Sequence, residues 1–200
     1  MLLAVLLLLS YLLGLLLLSY LLGSIPFGLL LAKIFASTDI RAFGSKNIGA
    51  TNVNRVLGKK LGIATFLLDA GKGVVLILLA KHYWHLDFTK LVAIAVVAVL
   101  GHIFSVYLKF RGGKGVATFL ACTVALQPFL GLAGLLLWLS VYLVFKISSV
   151  AGISACLLVG LLAGLFGFDL FSYLIWFSLS IVIVAKHWQN ICRLINKTEK

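Results

Sequence analysis

Residues 43–60 read FGSKNIGATNVNRVLGKK and form a polar stretch inside a chain that is otherwise mostly apolar. This stretch, here called the polar island, combines glycines, asparagines, hydroxyls and basic residues, and its nearest acid is Asp39. Glycine lets backbone N–H groups approach an anion closely, and an arginine such as Arg55 offers a forked donor suited to phosphate. We therefore expect the polar island to bind an anionic group.

A plainer interpretation is that the polar island is only a basic loop that sets membrane topology. Topology requires Lys and Arg. It does not require the density of Gly, Asn, Ser and Thr found here. The interpretation as a binding segment is therefore favoured.

The sequence on both sides of the polar island predicts a helical membrane protein. The chain has 200 residues, of which 63% are hydrophobic and 11% are charged, with a net charge of +12. The apolar runs are continuous rather than alternating, which favours helices. The positive charge lies in short loops, which indicates topology and anionic ligands rather than nucleic acid. Three scattered cysteines predict neither a disulfide framework nor a zinc site, and we expect no metal and no cofactor.

The apolar runs predict an all-α, polytopic transmembrane bundle of about seven spans, in a single domain of residues 1–200. Pro26 is expected to kink the first span, and Gln127-Pro128 to divide a long run into a short fourth and a fifth span. The expected spans are residues 1–35, 61–80, 91–108, two within 116–145, 150–167 and 170–185, followed by a polar, basic tail from His187.

The positions of the basic residues predict the orientation of the bundle. With these spans, 14 of the 17 Lys and Arg residues fall on the same side as the polar island. The positive-inside rule then places the N-terminus outside and the C-terminus in the cytoplasm. It also places the polar island, the FRGGKG turn at 110–115, the Ser148-Ser149 junction and the His187 tail on one membrane face. We expect these four segments to form one site.

The acidic residues limit the chemistry of that site. Only Asp39 and Asp69 are expected near this face, which argues against paired-carboxylate hydrolysis and against metal-carboxylate phosphotransfer. Neither GKG triplet is followed by the Ser or Thr of a P-loop, so a nucleotide is not indicated. An H-x4-D pattern from His82 to Asp87 lies in a predicted outer loop, where we interpret it as a coincidence. Phosphate chemistry without a metal remains.

Two further groups of residues leave alternatives open. His187 and Asn190 are spaced to share one face of a helix, and His187 is either a neutral general base or a phosphate-binding imidazolium. Asp69 and Lys72 can pair on one helix face, either as a structural ion pair or as ligands. His102 lies in an apolar span and is expected to be a packed, hydrogen-bonded histidine.

Five motifs occur in a fixed order from Tyr20 onward: GSKNIGATNVNRVLGKKLG, LLDAGKG, GHIF with FRGGKGVAT, FKISSVAG and HWQNICRLINKTE. In this order they resemble the bacterial acyl-phosphate:glycerol-3-phosphate acyltransferases, the PlsY-type family. The resemblance implies a multi-pass enzyme of the bacterial inner membrane with its active site on the cytoplasmic face.

The implied reaction moves a fatty acyl group from acyl phosphate to the 1-hydroxyl of sn-glycerol 3-phosphate, giving lysophosphatidate and inorganic phosphate. The implied partners are these two substrates, membrane lipid and an upstream enzyme that produces acyl phosphate.

The resemblance and the residue pattern together predict the site residues. His187, Lys114 and Arg55 are the expected catalytic residues. One set of residues is assigned to acyl phosphate and a second set to glycerol 3-phosphate, although the sequence does not separate the two phosphate sites. The first set is Ser45, Gly49, Thr51, Asn52 and the Gly113 backbone, with Asn47 as a further substrate-binding residue; the second is Arg55, Lys114, Ser149, His187 and Asn190.

The expected mechanism is direct attack on the carbonyl, because acyl phosphate is an activated mixed anhydride with a good leaving group. No Ser-His-Asp or Cys-His arrangement indicates a covalent acyl-enzyme. The leaving phosphate is expected to take the hydroxyl proton, with His187 orienting or assisting. The alternatives are a small anion transporter and a structural membrane subunit that binds anionic lipid headgroups.

Overall fold

The computed structural model describes residues 2–199, and within them it shows ten α-helices, three short 3-10 turns and no strand. The 3-10 turns are Ile40–Ala42, Val106–Leu108 and Ala163–Phe166. The helices are α1 Leu2–Ser24, α2 Phe27–Ala36, α3 Ala50–Leu57, α4 Lys59–His82, α5 Phe88–Ile103, α6 Val116–Leu126, α7 Pro128–Phe145, α8 Ser148–Leu162, α9 Leu170–Lys186 and α10 Trp188–Ile195.

The helices confirm the prediction of an all-helical membrane protein. By length and composition, α4, α5, α7 and α8 are each suited to cross a membrane, when α5 and α8 are counted with the 3-10 turn that follows each of them. Two bent pairs bring the candidates among the described residues to six: α1 with α2, bent by 40°, and α9 with α10, bent by 53°. The short apolar helix α6 has 11 residues and lies beside them.

The break between α1 and α2 confirms the kink predicted at Pro26. Proline has no N–H and cannot continue the α-helical ladder, so α1 ends at Ser24 and α2 begins at Phe27. At the break, the carbonyl of Ile25 accepts a hydrogen bond of 2.8 Å from Nζ of Lys72 on α4. A side chain from a neighbouring helix thus satisfies the backbone where the span is broken.

Close contacts between backbones hold α1 against α5. A Cβ placed on Gly23 would lie 2.2 Å from the carbonyl oxygen of Ala98, and one on Gly101 would lie 2.4 Å from that of Tyr20. Only glycine permits this approach, and small residues are what membrane helices use to pack closely. The crossing fixes the end of α5, from which the FRGGKG turn departs.

Two apolar clusters fill the bundle. The larger joins α4 to α9, and at its centre the Trp176 ring stacks on the Phe119 ring with centroids 4.7 Å apart. The smaller lies beneath the polar island and includes Ile40, Ile48 and Val53. This second cluster anchors the polar island to α2.

The polar island is partly helical, which differs from a loop built only to expose backbone donors. Residues 50–57 form α3, with Gly49 as an extended N-cap and Gly58 ending the helix at φ +89°. One side of α3 buries Val53, and the helix packs on α4. Thr51 and Arg55 are therefore displayed from a helix, whereas Asn52 on the same helix is buried.

Candidate active site

The structure brings the four polar segments together at one end of the bundle. The hydroxyls of Thr51 and Ser148 lie 3.0 Å apart and join the polar island to α8. Nζ of Lys114 donates a hydrogen bond of 2.6 Å to Oδ1 of Asn190, which joins the glycine-rich turn to α10. The predicted convergence is therefore present in the fold.

Asn52 organises the polar island from within. It is 1% exposed, and its Oδ1 accepts a hydrogen bond of 2.8 Å from the Ser45 N–H. Its Nδ2 donates to the carbonyls of Ile40, Phe43 and Asn47 at 3.2, 3.1 and 2.8 Å. Every polar atom of this side chain is engaged inside the loop. Asn52 therefore shapes the island, and its contact with a substrate stays a prediction.

Three of the residues predicted for the acyl phosphate use their backbone N–H groups within the protein. The N–H of Ser45 donates to Asn52, and the N–H of Gly49 donates to Oδ1 of Asn47 at 2.9 Å. The N–H of Gly113 donates to the carbonyl of His102 at 3.0 Å. These N–H groups stabilise the turns of the site, and their contact with acyl phosphate stays a prediction. The Asn47 amide oxygen serves a local turn.

Lys114 is directed into the site by a turn that leaves the end of α5. The N–H groups of Gly112 and Gly113 donate to the carbonyls of Ile103 and His102, and Gly115 adopts φ +93° before α6 begins. Burial lowers the pKa of Lys114 to about 8; Glu199 opposes this shift, while Arg193 and Arg55 reinforce it. Arg55 is exposed on α3, yet its charge acts on Lys114, so the island faces the turn.

His187 sits at the junction of α9 and α10 and is 2% exposed. Its Nδ1 lies 2.8 Å from the carbonyl of Ile183. A carbonyl only accepts, so Nδ1 carries the proton and Nε2 is left as the acceptor, on the side where Gly152 approaches. Burial, followed by the nearby Lys114 charge, lowers the pKa of His187 to about 4. The imidazole is therefore neutral at neutral pH.

Glu199 is a site residue that the sequence analysis missed. Its carboxylate accepts hydrogen bonds from Ser149 at 2.9 Å, from the Asn190 amide and from Nε of Arg193. Partial burial raises the pKa of Glu199, but these hydrogen bonds outweigh burial and leave the pKa below its ordinary value. Glu199 therefore connects α8 to α10 and holds the predicted residues Ser149 and Asn190 in place.

The expectation that only Asp39 and Asp69 lie near this face is corrected by Glu199. Glu199 is the only glutamate in the sequence, and this was the signal by which the sequence could have indicated its role. Asp39 pairs with Arg41, two residues along. Asp69 is buried beside Lys72. Among the described acidic residues, Glu199 is the one that accepts a hydrogen bond from Asn190, the hydrogen-bond partner of Lys114.

The H-x4-D pattern lies apart from this cluster. Asp87 precedes α5, where its carboxylate accepts a hydrogen bond of 3.0 Å from the Lys90 N–H and pairs with the Lys90 ammonium. His82 ends α4 at the same end of the bundle. Capping of α5 and the ion pair with Lys90 account for Asp87 without a catalytic role.

Comparison with known proteins identifies the family. Residues 5–197 match the family model described as "Glycerol-3-phosphate acyltransferase". The chain belongs to the glycerol-3-phosphate acyltransferase family. It is 47% identical over 202 residues to the glycerol-3-phosphate acyltransferase of Campylobacter lari, covering 96% of this chain and 95% of that protein. Its identity to the Dinoroseobacter shibae protein of the same name is 46%, covering 99% and 92% of the two chains.

Two solved structures of PlsY (YgiH), an integral membrane glycerol 3-phosphate acyltransferase, are similar to this fold. The glycerol 3-phosphate form has a TM-score of 0.89 and 37% identity, and the lysophosphatidic acid form has 0.86 and 36%. Each comparison covers 95% of this chain and 94% of the other. The family resemblance is therefore confirmed. Membership of this family supports the acyltransferase interpretation and not the transporter alternative.

For a glycerol-3-phosphate acyltransferase, the charge balance of the site is informative. Lys114, Arg55 and Arg193 bring three cations to one carboxylate, Glu199. Opposite charge and buried hydrogen-bond donors favour an anionic ligand, and Lys and Arg both bind phosphate groups. The site thus offers a phosphate position beside an apolar helical bundle.

Proposed function

We propose that this protein transfers a fatty acyl group from acyl phosphate to the 1-hydroxyl of sn-glycerol 3-phosphate, releasing inorganic phosphate. The observation that supports this most directly is the network of Lys114, Asn190, Glu199 and Ser149. It holds a half-buried ammonium group at fixed geometry next to the neutral imidazole of His187. Such a site suits a phosphate ester whose hydroxyl must be oriented for attack.

Glycerol 3-phosphate is assigned to the cationic end of the site. Lys114 and Arg55 bind its phosphate, with Arg193 adding charge from α10. The Ser149 hydroxyl and the Asn190 amide, both held by Glu199, orient the glycerol. Thr51 and Ser45 lie on the polar island, where their hydroxyls are assigned to the phosphate of the acyl donor.

The reaction is a direct displacement. The 1-hydroxyl oxygen forms a bond to the acyl carbon, and the bond from that carbon to the phosphate oxygen breaks. The hydroxyl proton passes to the leaving phosphate, so no covalent enzyme intermediate is needed. Nε2 of His187 accepts a hydrogen bond from the hydroxyl and orients it. Lys114 stabilises the negative charge that develops on the oxygens.

An apolar groove beside Lys114 is assigned to the acyl chain. It has a volume of about 500 Å³, lies between α4, α6 and α7, and reaches Ala117 in the first turn of α6. Four alanines line it beside larger apolar side chains: Ala70, Ala117, Ala121 and Ala125. Their size leaves room for a straight alkyl chain running from the site into the bilayer.

The orientation of the bundle is part of this proposal. Counting α1 with α2 as one span, α9 as another and α6 as a short one gives seven. The excess of basic residues then places the site and the C-terminus in the cytoplasm and the N-terminus outside. This orientation in the inner membrane gives the site access to soluble glycerol 3-phosphate and to an enzyme that supplies acyl phosphate.

Phosphate release by the purified protein in lipid tests the function. The substrate is palmitoyl phosphate, with or without glycerol 3-phosphate, in the absence of CoA. We expect release that depends on glycerol 3-phosphate and matches the lysophosphatidate formed. Absence of phosphate release both with and without glycerol 3-phosphate, in protein shown to be folded, contradicts the proposal. Flux of glycerol phosphate through proteoliposomes without acylation would support a transporter.

Chain-length preference tests the groove. Ala121→Phe fills its middle, so we expect kcat/KM to fall for palmitoyl phosphate and to fall less for octanoyl phosphate. Val97→Phe is the matched control, because Val97 lines a separate apolar groove between α1 and α5. A changed chain-length preference in Val97→Phe, and not in Ala121→Phe, would assign the acyl chain to the second groove.

A further inference from the structure

We propose that Asp69, Lys72 and His102 are positioning residues that hold the turn carrying Gly113 and Lys114. The three side chains lie behind the turn and are sealed from solvent. This inference rests on the proposed acyl transfer, because it assigns the cluster its effect on Lys114. It also decides between the alternatives for Asp69 and Lys72: they support the site and are not ligands.

The cluster is a buried ion pair extended by an imidazole. Nζ of Lys72 lies 2.9 Å from Oδ1 of Asp69, and both side chains are 3% exposed. Nδ1 of His102 lies 3.7 Å from the same oxygen. Among the described residues, neither Oδ1 of Asp69 nor Nδ1 of His102 has an aligned hydrogen bond. Charge and proximity therefore hold the group together.

The imidazole of His102 forms the surface on which the turn rests. A Cβ placed on Gly113 would lie 2.1 Å from Nε2 of His102, so the Gly113 backbone packs directly on the ring. The Gly113 N–H also donates to the His102 carbonyl at 3.0 Å. One residue thus contacts the turn through both its backbone and its side chain.

A second contact fixes the other end of the turn. The Thr118 hydroxyl, in the first turn of α6, donates a hydrogen bond of 2.9 Å to the carbonyl of Asp69. Lys114 therefore lies between two attachments, His102 before it and Asp69 after it. Both lead to the same three-residue cluster.

The cost of burying charge supports a positioning role. A buried ion pair stabilises a fold little more than apolar side chains of the same size, because both charges lose their hydration. Lys72 on α4 also donates a hydrogen bond to the Ile25 carbonyl at the break between α1 and α2. The cluster thus joins three parts of the bundle at the turn. A displacement of about 1 Å at a catalytic group can cost about 100-fold in rate, so such fixation matters for Lys114.

A double-mutant cycle tests whether His102 supports the turn. Gly113→Ala forces a methyl group into the imidazole, and His102→Ala leaves a space behind the turn. We expect each single variant to lower kcat/KM by about 10- to 100-fold. The double variant gives the new methyl group room, so we expect it to be at least as active as Gly113→Ala. Losses that multiply in the double variant would overturn the proposal.

The titration of Lys114 gives a readout that does not need turnover. Its reactivity with an amine-directed reagent, followed by mass spectrometry against pH, reports the pKa of Lys114, about 8 in this fold. The charged groups facing Lys114 are Glu199, Arg193 and Arg55, with His187 beside it. None of these is changed by His102→Ala. We expect the pKa of Lys114 to rise as the loosened turn lets water reach it.

Two further variants keep the titration decisive. Where His102→Ala does not fold, His102→Gln replaces it, and the expected upward shift is smaller. Thr123→Val is the matched control, because Thr123 is buried on α6 and its hydroxyl bonds only within that helix. An unchanged Lys114 pKa in a folded His102 variant, or an equal shift in the control, would overturn the proposal. Failure of wild-type turnover would contradict only the proposed function.

Discussion

Two charged clusters flank Lys114 and differ in their balance of charge. In the rear cluster, Asp69 and Lys72 come from one helix and neutralise each other out of solvent. In the front cluster, Glu199 is joined to Arg193 and faces the additional cations Lys114 and Arg55. The rear cluster is closed, whereas the Arg193 side chain is 36% exposed. A balanced pair needs no ligand, whereas an excess of cations favours an anionic ligand.

This difference predicts separate consequences when each cluster is changed. Loss of one partner from the rear cluster strands a charge in an apolar bundle and should weaken the fold. Loss of the Lys114 or Arg55 cation from the front cluster removes a ligand for phosphate but leaves Glu199 paired with Arg193, so the fold should be weakened less. Stability and activity measurements on the same variants therefore separate the two clusters.

The largest expected effect is from Asp69→Asn. It leaves the Lys72 ammonium buried without its counterion, and breaking such a pair costs about 3–5 kcal/mol. Thermal unfolding in detergent should show a large drop in Tm. The control is Asp69→Asn combined with Lys72→Met, which removes both charges and should recover most of the stability. An unchanged Tm in the single variant would show that the ammonium loses its charge or finds another partner.

Next in size is the loss of activity in Lys114→Ala. Removing a donor aimed at developing negative charge costs about 10²- to 10³-fold in kcat. We expect this loss in lysophosphatidate formation, with Tm nearly unchanged. A fall in Tm as large as that of Asp69→Asn would contradict the assignment of Lys114 to the front cluster.

The pH dependence of kcat/KM sharpens the role of Lys114. Its pKa is about 8, so the ammonium charge is lost as pH rises through that value, and activity should fall on the alkaline side. Lys114→Arg keeps its charge at high pH and should shift this alkaline limb upward, at a lower maximal rate. If kcat/KM of the arginine variant falls over the same alkaline pH range as that of the wild type, the titrating group is not Lys114.

Glu199→Gln is expected to have an intermediate effect of about tenfold on kcat/KM, the order expected for one hydrogen bond to a charged group. The folded pKa of Glu199 lies below its ordinary 4.5, so its contribution is present above that value and is lost as pH falls through the folded pKa. Wild-type stability should therefore decline below about pH 4.5 more steeply than that of the glutamine variant. Parallel acid profiles for the two proteins would contradict the assignment.

The smallest expected effect is from Thr51→Val. It removes the hydrogen bond between the polar island and Ser148, worth about 0.5–1.5 kcal/mol. We expect a rise of a few-fold in KM and little change in kcat, measured with saturating glycerol 3-phosphate and varied acyl phosphate. A large fall in kcat would place the Thr51 hydroxyl at the reacting atoms.

The fold was largely predictable because each boundary has a local cause. Pro26 breaks the first apolar run, and Gln127-Pro128 separates α6 from α7. Span lengths follow from hydrophobicity alone, and the positions of basic residues indicate a shared face. The helix α3 was not predicted, because half of its eight residues carry polar side chains and its burial depends on α2 and α4.

The convergence of several predicted site residues was foreseen from the sequence, but their internal connections were not. Ser149, His187, Asn190 and Lys114 do meet, since charge and spacing placed them on one face. The internal hydrogen bonds of Asn52 and Gly113 were not predicted, because an amide or an N–H can satisfy the protein itself as readily as a ligand. Glu199 was missed for a similar reason: it is separated from Ser149 by 50 residues, and only the fold brings them together.

The shortness of α6 has a consequence for membrane insertion. Its 11 residues span about 16 Å, roughly half of a hydrocarbon core of about 30 Å. A translocon that releases helices singly into lipid would find α6 too short to remain there. α6 and α7 are therefore expected to enter as one helical hairpin, turned at Gln127. During biogenesis, the Lys114 turn would then reach its depth only after α7 has been synthesised.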